Sequence, residues 1–439
     1  MTMHAANPAA RGLFSLPRRS GRGAAAVLFL ICTIACTPVP AQDVPAQDVP
    51  AAAGKGRAPV MPGCEVLLAD SLHLLAGRRV GLLCNHTSRL RNGSYLYDTL
   101  RSLPRVTVTA LFSPEHGFRG SADAGEHVQS ASLDGIPLHS LYGGSRRPTA
   151  AMLENIDVLV MDLQDIGARY YTYVSTMMYC IEAAAEAGVE VVLLDRPNPI
   201  GGDAVSGPIR ADSMRSFVSL LPVPVRHGMT AGELARMAVG EGWLRGNARH
   251  RLTVIPMHGW RRSMYYDDTR LPWVSPSPNI VSVDAALAYV GTCLLEGSSL
   301  SEGRGTESPF LLFGAPFVDG DRAASELNAL SLPGVIFQSA RFVPRSRPGA
   351  SHPRFEGQEC GGVRMQITDR SRFPAWRCGV EILRTFMRLH DGKITCTPYL
   401  SLLAGTASFC SRIRTLQSPE WDDGVRRFLR ARTPYLLYH

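Results

Sequence analysis

Val106-Thr107-Val108-Thr109-Ala110-Leu111-Phe112-Ser113-Pro114-Glu115-His116-Gly117 is the stretch on which the fold turns. Residues 106–112 are apolar and β-branched, the composition of a buried strand. Proline cannot donate to a sheet ladder and pushes its predecessor out of helical geometry, so the strand stops at Ser113-Pro114. Glu115 and His116 then stand on the lip of a sheet, where chemistry is usually staged, and Gly117 and Gly120 loosen the chain beyond them.

Three other runs share this form. Arg79-Val80-Gly81-Leu82-Leu83-Cys84 ends at Asn85-His86, residues 157–163 end at Gln164-Asp165, and residues 189–194 end at Asp195-Arg196-Pro197-Asn198. Helical patterns separate them at 95–103 and 173–187, the second stopped by Gly188. Continuous apolar strands alternating with helices predict an α/β fold with a mostly parallel sheet covered on both faces. Ligands of such sheets bind outside the carboxyl ends of the strands, where all four polar clusters fall. No GxGxxG or Walker-type loop follows any strand, which argues against a nucleotide cofactor.

Farther along, Arg226-His227-Gly228-Met229-Thr230 leads into a helix with Thr230 as N-cap and Glu233 at the capping-box position. The proline-rich crossing at 272–279 divides a first domain, 63–280, from a smaller α+β domain, 281–439. Just beyond it runs a polar, glycine-rich loop, Leu295-Glu296-Gly297-Ser298-Ser299-Leu300-Ser301-Glu302-Gly303-Arg304-Gly305-Thr306-Glu307.

Composition narrows the function. The chain has 439 residues, 45% hydrophobic and 19% charged, as in a globular protein with room for two domains. Its net charge of +8 is carried by arginine, with lysine at 55 and 393 alone, and it forms no basic block of the kind that binds nucleic acid. Arg18, Arg19 and Arg22 precede an apolar run, 24–35, too short to span a bilayer, which reads as an export signal within residues 1–41. Val39-Pro40-Ala41 offers a cleavage site before Gln42, and Thr33-Ile34-Ala35-Cys36 offers the competing reading of a lipoprotein signal, with membrane anchoring through a lipidated Cys36. The protein is thus expected in the periplasm or cell envelope. Residues 42–62, which hold most of a tandem Ala-Gln-Asp-Val-Pro repeat, read as an extended tether. Of the ten cysteines, Cys84, Cys180 and Cys293 read as buried thiols, while Cys360, Cys378, Cys396 and Cys410 are candidates for pairing in an oxidising compartment. No HExxH or CxxC spacing marks a metal site, and no GxSxG elbow marks a serine hydrolase.

Several stretches together resemble one family: Ser113-Pro114-Glu115-His116-Gly117, Asp165-Ile166-Gly167-Ala168-Arg169-Tyr170-Tyr171-Thr172-Tyr173, Asp195-Arg196-Pro197-Asn198-Pro199-Ile200-Gly201-Gly202, Arg226-His227-Gly228-Met229-Thr230 and the loop from Glu296 to Thr306. From about residue 64 the chain resembles the NamZ-type exo-β-N-acetylmuramidases, glycoside hydrolases that release N-acetylmuramic acid from the non-reducing ends of peptidoglycan fragments. The resemblance implies a Rossmann-like first domain, a smaller second domain and an active-site cleft between them. It also implies MurNAc-GlcNAc saccharides as partners, no cofactor, and a catalytic glutamate at Glu115.

The residues fit that chemistry in different degrees. Glycoside hydrolysis uses a carboxylic acid to protonate the leaving oxygen and a second group on the opposite face of the sugar. Glu115 is the expected acid, with His116 orienting it or a sugar hydroxyl. Three roles are open to Asp165: placing water, holding a sugar hydroxyl, or pairing with Arg169. Glu302 and Glu307 are each candidates for the opposing carboxylate. Muramic acid carries a lactyl carboxylate, for which Arg169, Arg196 and Arg304 are candidate guanidinium partners. Asn85, Asp195 and Asn198 at the strand ends, and His227 in the stretch leading into the Thr230-capped helix, are read as substrate-binding groups. Tyr170 and Tyr171 offer faces for stacking on a sugar, while Tyr173 has the better claim to the core. A wall-sugar receptor without turnover is the alternative, and it has no need of an acid.

Overall fold

The computed structural model describes residues 58–120, 131–246, 250–415 and 422–439. The export signal, Cys36 and the tandem repeat lie outside the described residues.

Among the described residues seven strands form one sheet in the order β3-β4-β2-β1-β5-β6-β7. They are β1 (Arg79–Cys84), β2 (Thr107–Ser113), β3 (Ala131–Leu133), β4 (Ile136–Ser140), β5 (Val158–Asp162), β6 (Glu190–Leu194) and β7 (Leu252–Ile255). Every neighbouring pair is parallel except the β3–β4 hairpin at one edge. Side chains alternate across the sheet with period two. Leu83, Phe112, Met161 and Leu193 fill the core on one face, and Leu82, Leu111, Val160 and Leu194 fill the core on the other. Both faces are buried, so these strands are apolar throughout, as the sequence predicts.

The helix Thr172–Ala187 ends at Gly188 in the left-handed conformation, φ 71°, whose N–H bonds the Ala184 carbonyl. The helix Ala231–Gly240 begins with the expected capping box of Thr230 and Glu233. Three strands were not anticipated. β3 and β4 turn through Asp134-Gly135, both at positive φ (53° and 81°), the geometry of a two-residue hairpin. β7 is four residues long and sits at the opposite edge.

Beyond 280 the chain forms a three-stranded antiparallel sheet, β8 (Leu312–Ala315), β10 (Cys360–Ile367) and β9 (Val335–Phe342) in that spatial order. Against it lie the helix Gly320–Ala329 and, through Phe386 on Phe313 and Cys378 on Met365, the helix Ala375–Leu389. The latter in turn meets the helix Val283–Thr292 backbone to backbone at Gly379 and Gly291. A Cβ on Gly379 would stand 2.3 Å from the Gly291 carbonyl oxygen, so only glycine fits this crossing. The C-terminus then returns to the parallel sheet. The Tyr438 hydroxyl donates to Asp195 at 2.6 Å, and Arg432 donates to the carbonyls of Gly202, His227 and Gly228. The eight described cysteines are thiols.

Candidate active site

Outside the carboxyl ends of β2 and β5 lies a chamber of about 220 Å³. One wall comes from the parallel-sheet half: Glu115, His116, Tyr142, Tyr170, Tyr171 and Thr172. The other comes from beyond residue 276: Ser277, Ile280, Tyr289, Glu296, Arg304, Phe310 and Tyr399.

Glu115 reaches the chamber because the chain turns sharply after the strand. His116 is held at φ 69° and Gly117 at φ 71°, and the Gly117 N–H closes on the Pro114 carbonyl at 3.0 Å. A non-glycine residue in the left-handed region is uncommon and clusters at functional sites. Glu115 is 8% exposed and accepts a 2.5 Å hydrogen bond from the Thr172 hydroxyl at the start of the helix Thr172–Ala187.

Lining the same chamber, Arg304 is clasped by two carboxylates. Its terminal nitrogen donates to Glu296 at 2.8 Å, its Nε lies 3.1 Å from Glu302, and its guanidinium sits 5.2 Å from the Phe310 ring centroid. Burial alone would lower the Arg304 pKa, but Glu296 and Glu302 outweigh it and hold the guanidinium charged. Burial pushes the Glu302 carboxyl up, with Arg304 opposing the shift. Glu302 lines the adjoining groove rather than the chamber, while Glu296 lines both. Two carboxylates, a guanidinium and several aromatic rings in one chamber suit proton transfer on a hydroxyl-rich ring with an acidic substituent.

The other expected site residues lie elsewhere. Arg169 is buried and donates to the carbonyls of Pro208 (2.6 Å), Val223 (2.8 Å) and Leu403 (2.8 Å), tying three loops together. Burial lowers its pKa to about 9, and neither Asp165 nor the chamber is its partner. Arg196 makes a two-pronged ion pair with Asp162, at 2.5 and 2.8 Å, beside Cys64 in the core on the far face. Asp195 caps the helix Ala231–Gly240 through the Gly232 N–H (2.9 Å) and binds the Thr230 and Tyr438 hydroxyls. Asn198 bridges Met229 and Ile200, and Asn85 bridges Tyr173 and Thr87. Glu307 is exposed and pairs with Arg347 at 2.5 Å. In each case the polar group is consumed by the backbone or an internal partner.

Asp165 and His227 face each other behind the chamber, 3.8 Å apart. The Gly167 N–H holds one Asp165 oxygen at 2.7 Å, and burial raises its pKa to about 7. Burial, aided by Arg432 and Arg169, lowers the His227 pKa to about 3. The Met229 N–H donates to His227 Nδ1, so the neutral ring carries its proton on Nε2, toward Asp165. Tyr170 does line the chamber, with its hydroxyl anchored on the Val290 carbonyl.

Glu296, Tyr289, Phe310 and Tyr399 are chamber residues that the sequence reading did not single out. Glu296 sits in the short helical turn Cys293–Gly297, and Tyr289 on the buried helix Val283–Thr292, so neither carries a local signal of the chamber. A larger hollow of about 640 Å³ lies at the amino ends of β1, β5 and β6, but its Arg78, Arg79 and Arg251 are ion-paired with Glu190 and Asp157. It gathers no chemistry comparable to the chamber.

Residues 80–284 match the N-terminal part, and residues 287–438 the C-terminal part, of a family described as exo-beta-N-acetylmuramidase NamZ. The chain is 40% identical over 388 residues to the peptidoglycan beta-N-acetylmuramidase NamZ of Bacillus subtilis (strain 168), covering 86% of this chain and 91% of that protein. Two crystal structures of DUF1343 family proteins from Bacteroides fragilis are each 34% identical to it, with TM-scores of 0.78 and 0.72. They cover 88% and 87% of this chain, and the matches span 100% and 99% of theirs.

Proposed function

Because the chain belongs to the NamZ exo-beta-N-acetylmuramidase family, we propose that its chamber hydrolyses the glycosidic bond of a terminal, non-reducing N-acetylmuramic acid in peptidoglycan fragments. The observation that carries this reading is that Glu115 and Glu296 both line one aromatic-walled chamber.

In this reading Glu115 delivers a proton to the bridging oxygen as the bond from C1 to that oxygen breaks. Water adds at C1 and gives its proton back to the Glu115 carboxylate, and the sugar leaves as free N-acetylmuramic acid. Thr172 holds one Glu115 oxygen, fixing which face of the carboxyl meets the substrate. Glu296 is the carboxylate on the opposite wall, where charge develops on the ring. Arg304 spends Nε and one terminal nitrogen on Glu302 and Glu296, and its remaining nitrogen is the donor for the lactyl carboxylate. Glu302 acts by keeping that guanidinium in place.

The test is incubation with a MurNAc-GlcNAc disaccharide or a chromogenic β-MurNAc glycoside. Release of MurNAc by the wild type supports the reading, and a wild type that releases none sinks it. The same reading places the enzyme in the periplasm or cell envelope, supported by the three arginines and apolar run before residue 36. Mass spectrometry of the mature chain decides between the two signals: a start at Gln42 indicates simple cleavage, and a lipid-modified Cys36 indicates anchoring. A chain that keeps residues 1–41 contradicts export.

A further inference from the structure

β1 and β2 are parallel neighbours with Leu83 opposite Phe112, so the residues that follow them emerge side by side at the carboxyl edge. His86, two residues past β1, is brought in this way against the turn that carries Glu115. That turn runs to Gly120, whose N–H reaches back to the Gly117 carbonyl at 3.3 Å. A Cβ on Gly120 would stand 2.0 Å from His86 Nδ1, so the Gly120 backbone lies against the ring. The other ring nitrogen, Nε2, lies 2.7 Å from the Ser275 carbonyl in the proline-rich crossing. We propose, resting on the muramidase reading, that His86 is a positioning residue for Glu115, one ring fixing the Glu115 turn to the crossing that runs on into the chamber lining.

The two nitrogens have separate tasks. A carbonyl oxygen only accepts, so Nε2 is the donor to Ser275, and a neutral ring then leaves Nδ1 with a lone pair. Burial lowers the His86 pKa, the Ser275 bond opposes it, and His116 and Arg89 add to the lowering, so the ring is neutral. Among the described residues Nδ1 is buried and meets no hydrogen-bond donor. Such a nitrogen costs free energy, and here its place is taken by packing on glycine backbone. The ring is thus held by a hydrogen bond on one side and by contact on the other.

The crossing is gripped at two successive carbonyls. Next to Ser275, the Pro276 carbonyl accepts from the Tyr173 hydroxyl at 2.7 Å, and Asn85 donates to that hydroxyl at 2.9 Å. Ser277 and Ile280, which line the chamber with Glu115, follow directly. The end of β1 therefore sets how the Glu115 turn stands against these lining residues. Arg89 steadies the device by donating from Nε to the His86 carbonyl at 3.1 Å.

Substitution separates the bond from the contact. His86→Gln offers an amide N–H to Ser275, whereas His86→Phe keeps a ring against Gly120 and removes the donor. On a nitrophenyl β-MurNAc glycoside, at equal folded concentration, His86→Phe is expected to lower kcat by about 10- to 10²-fold, the effect of a small misplacement, with KM within a few-fold. His86→Gln is expected to recover most of that loss. Gly120→Ala, which presses on the ring from the other side, is expected to lower kcat likewise and serves if His86→Phe does not fold. Full kcat in His86→Phe or in Gly120→Ala overturns the assignment while the muramidase reading stands. Equal loss in the glutamine and phenylalanine variants, or a loss confined to KM, overturns it as well. A wild type inactive on every MurNAc substrate removes the reading beneath it, and the assignment with it.

Discussion

Glu115 reaches the chamber through residues that need never touch a sugar. Pro114 ends the strand, His116 takes up a left-handed turn at φ 69°, and Thr172 holds the carboxyl. Thr172→Val keeps the shape and removes the hydroxyl. It is expected to lower kcat by up to about 10²-fold, the effect of a small misplacement, with KM little changed. Glu296→Gln should lower kcat for the disaccharide by about 10²-fold or more, at the lower end of what acid–base groups contribute. A full rate in either variant, measured by MurNAc release, contradicts the assigned role. The buried pair behind the wall makes stability depend on pH. The Asp165 pKa rises on folding from 3.8 to about 7, so the folded state keeps a proton that the unfolded state loses. Stability from this group is present below pH 4 and is lost as pH rises toward 7, by an amount on the order of a few kcal/mol. Asp165→Asn should therefore gain stability over the wild type between pH 4 and 7 in urea unfolding, and the gain should level off above. A difference independent of pH contradicts it. At this scale the sequence spoke clearly where a strand stop forces a side chain to an edge, as at Glu115. It was mute on Arg169 and Arg196, because nothing local shows that a guanidinium will be absorbed by distant carbonyls or by Asp162.

At the scale of elements, the four central strands were legible because burial on both faces makes them apolar without a break. The edge strands were not. β3 and β4 are short and partly exposed, so their composition carries little pattern, although Asp134-Gly135 is a hairpin signal in its own right. The chamber aromatics were hidden for a related reason. Tyr289 lies on a helix whose other residues are core, so its place on the chamber wall shows only after packing. The crossing of Val283–Thr292 and Ala375–Leu389 makes a separate prediction. Gly379→Ala would drive a methyl into the Gly291 backbone, and relief of that clash should cost about 1–3 kcal/mol, read as a lowered thermal midpoint. Since the displaced partner helix Val283–Thr292 carries Tyr289 and leads into Glu296, MurNAc release should weaken as well. An unchanged midpoint means the helices part without cost.

For the whole molecule, the two halves build one chamber and the C-terminus straps them together. Residues from before 173 supply Glu115 and Thr172, and residues from 277 onward supply Glu296, Arg304 and Tyr399. Tyr438 and Arg432 bind back onto Asp195 and the Gly228 turn. A fragment spanning 58–286 should release no MurNAc even where it folds, since it lacks the opposing wall. The mostly parallel sheet was readable from strand composition. The strap was not, because it depends on a tail finding a partner more than two hundred residues away. The central claim is that Glu115 is the proton donor for release of terminal N-acetylmuramic acid. The most direct test is the rate of MurNAc release from MurNAc-GlcNAc by the wild type and by Glu115→Gln at equal folded concentration. The expected result is turnover by the wild type and a fall of about 10²–10⁴-fold in the variant; a variant that retains the wild-type rate would contradict it.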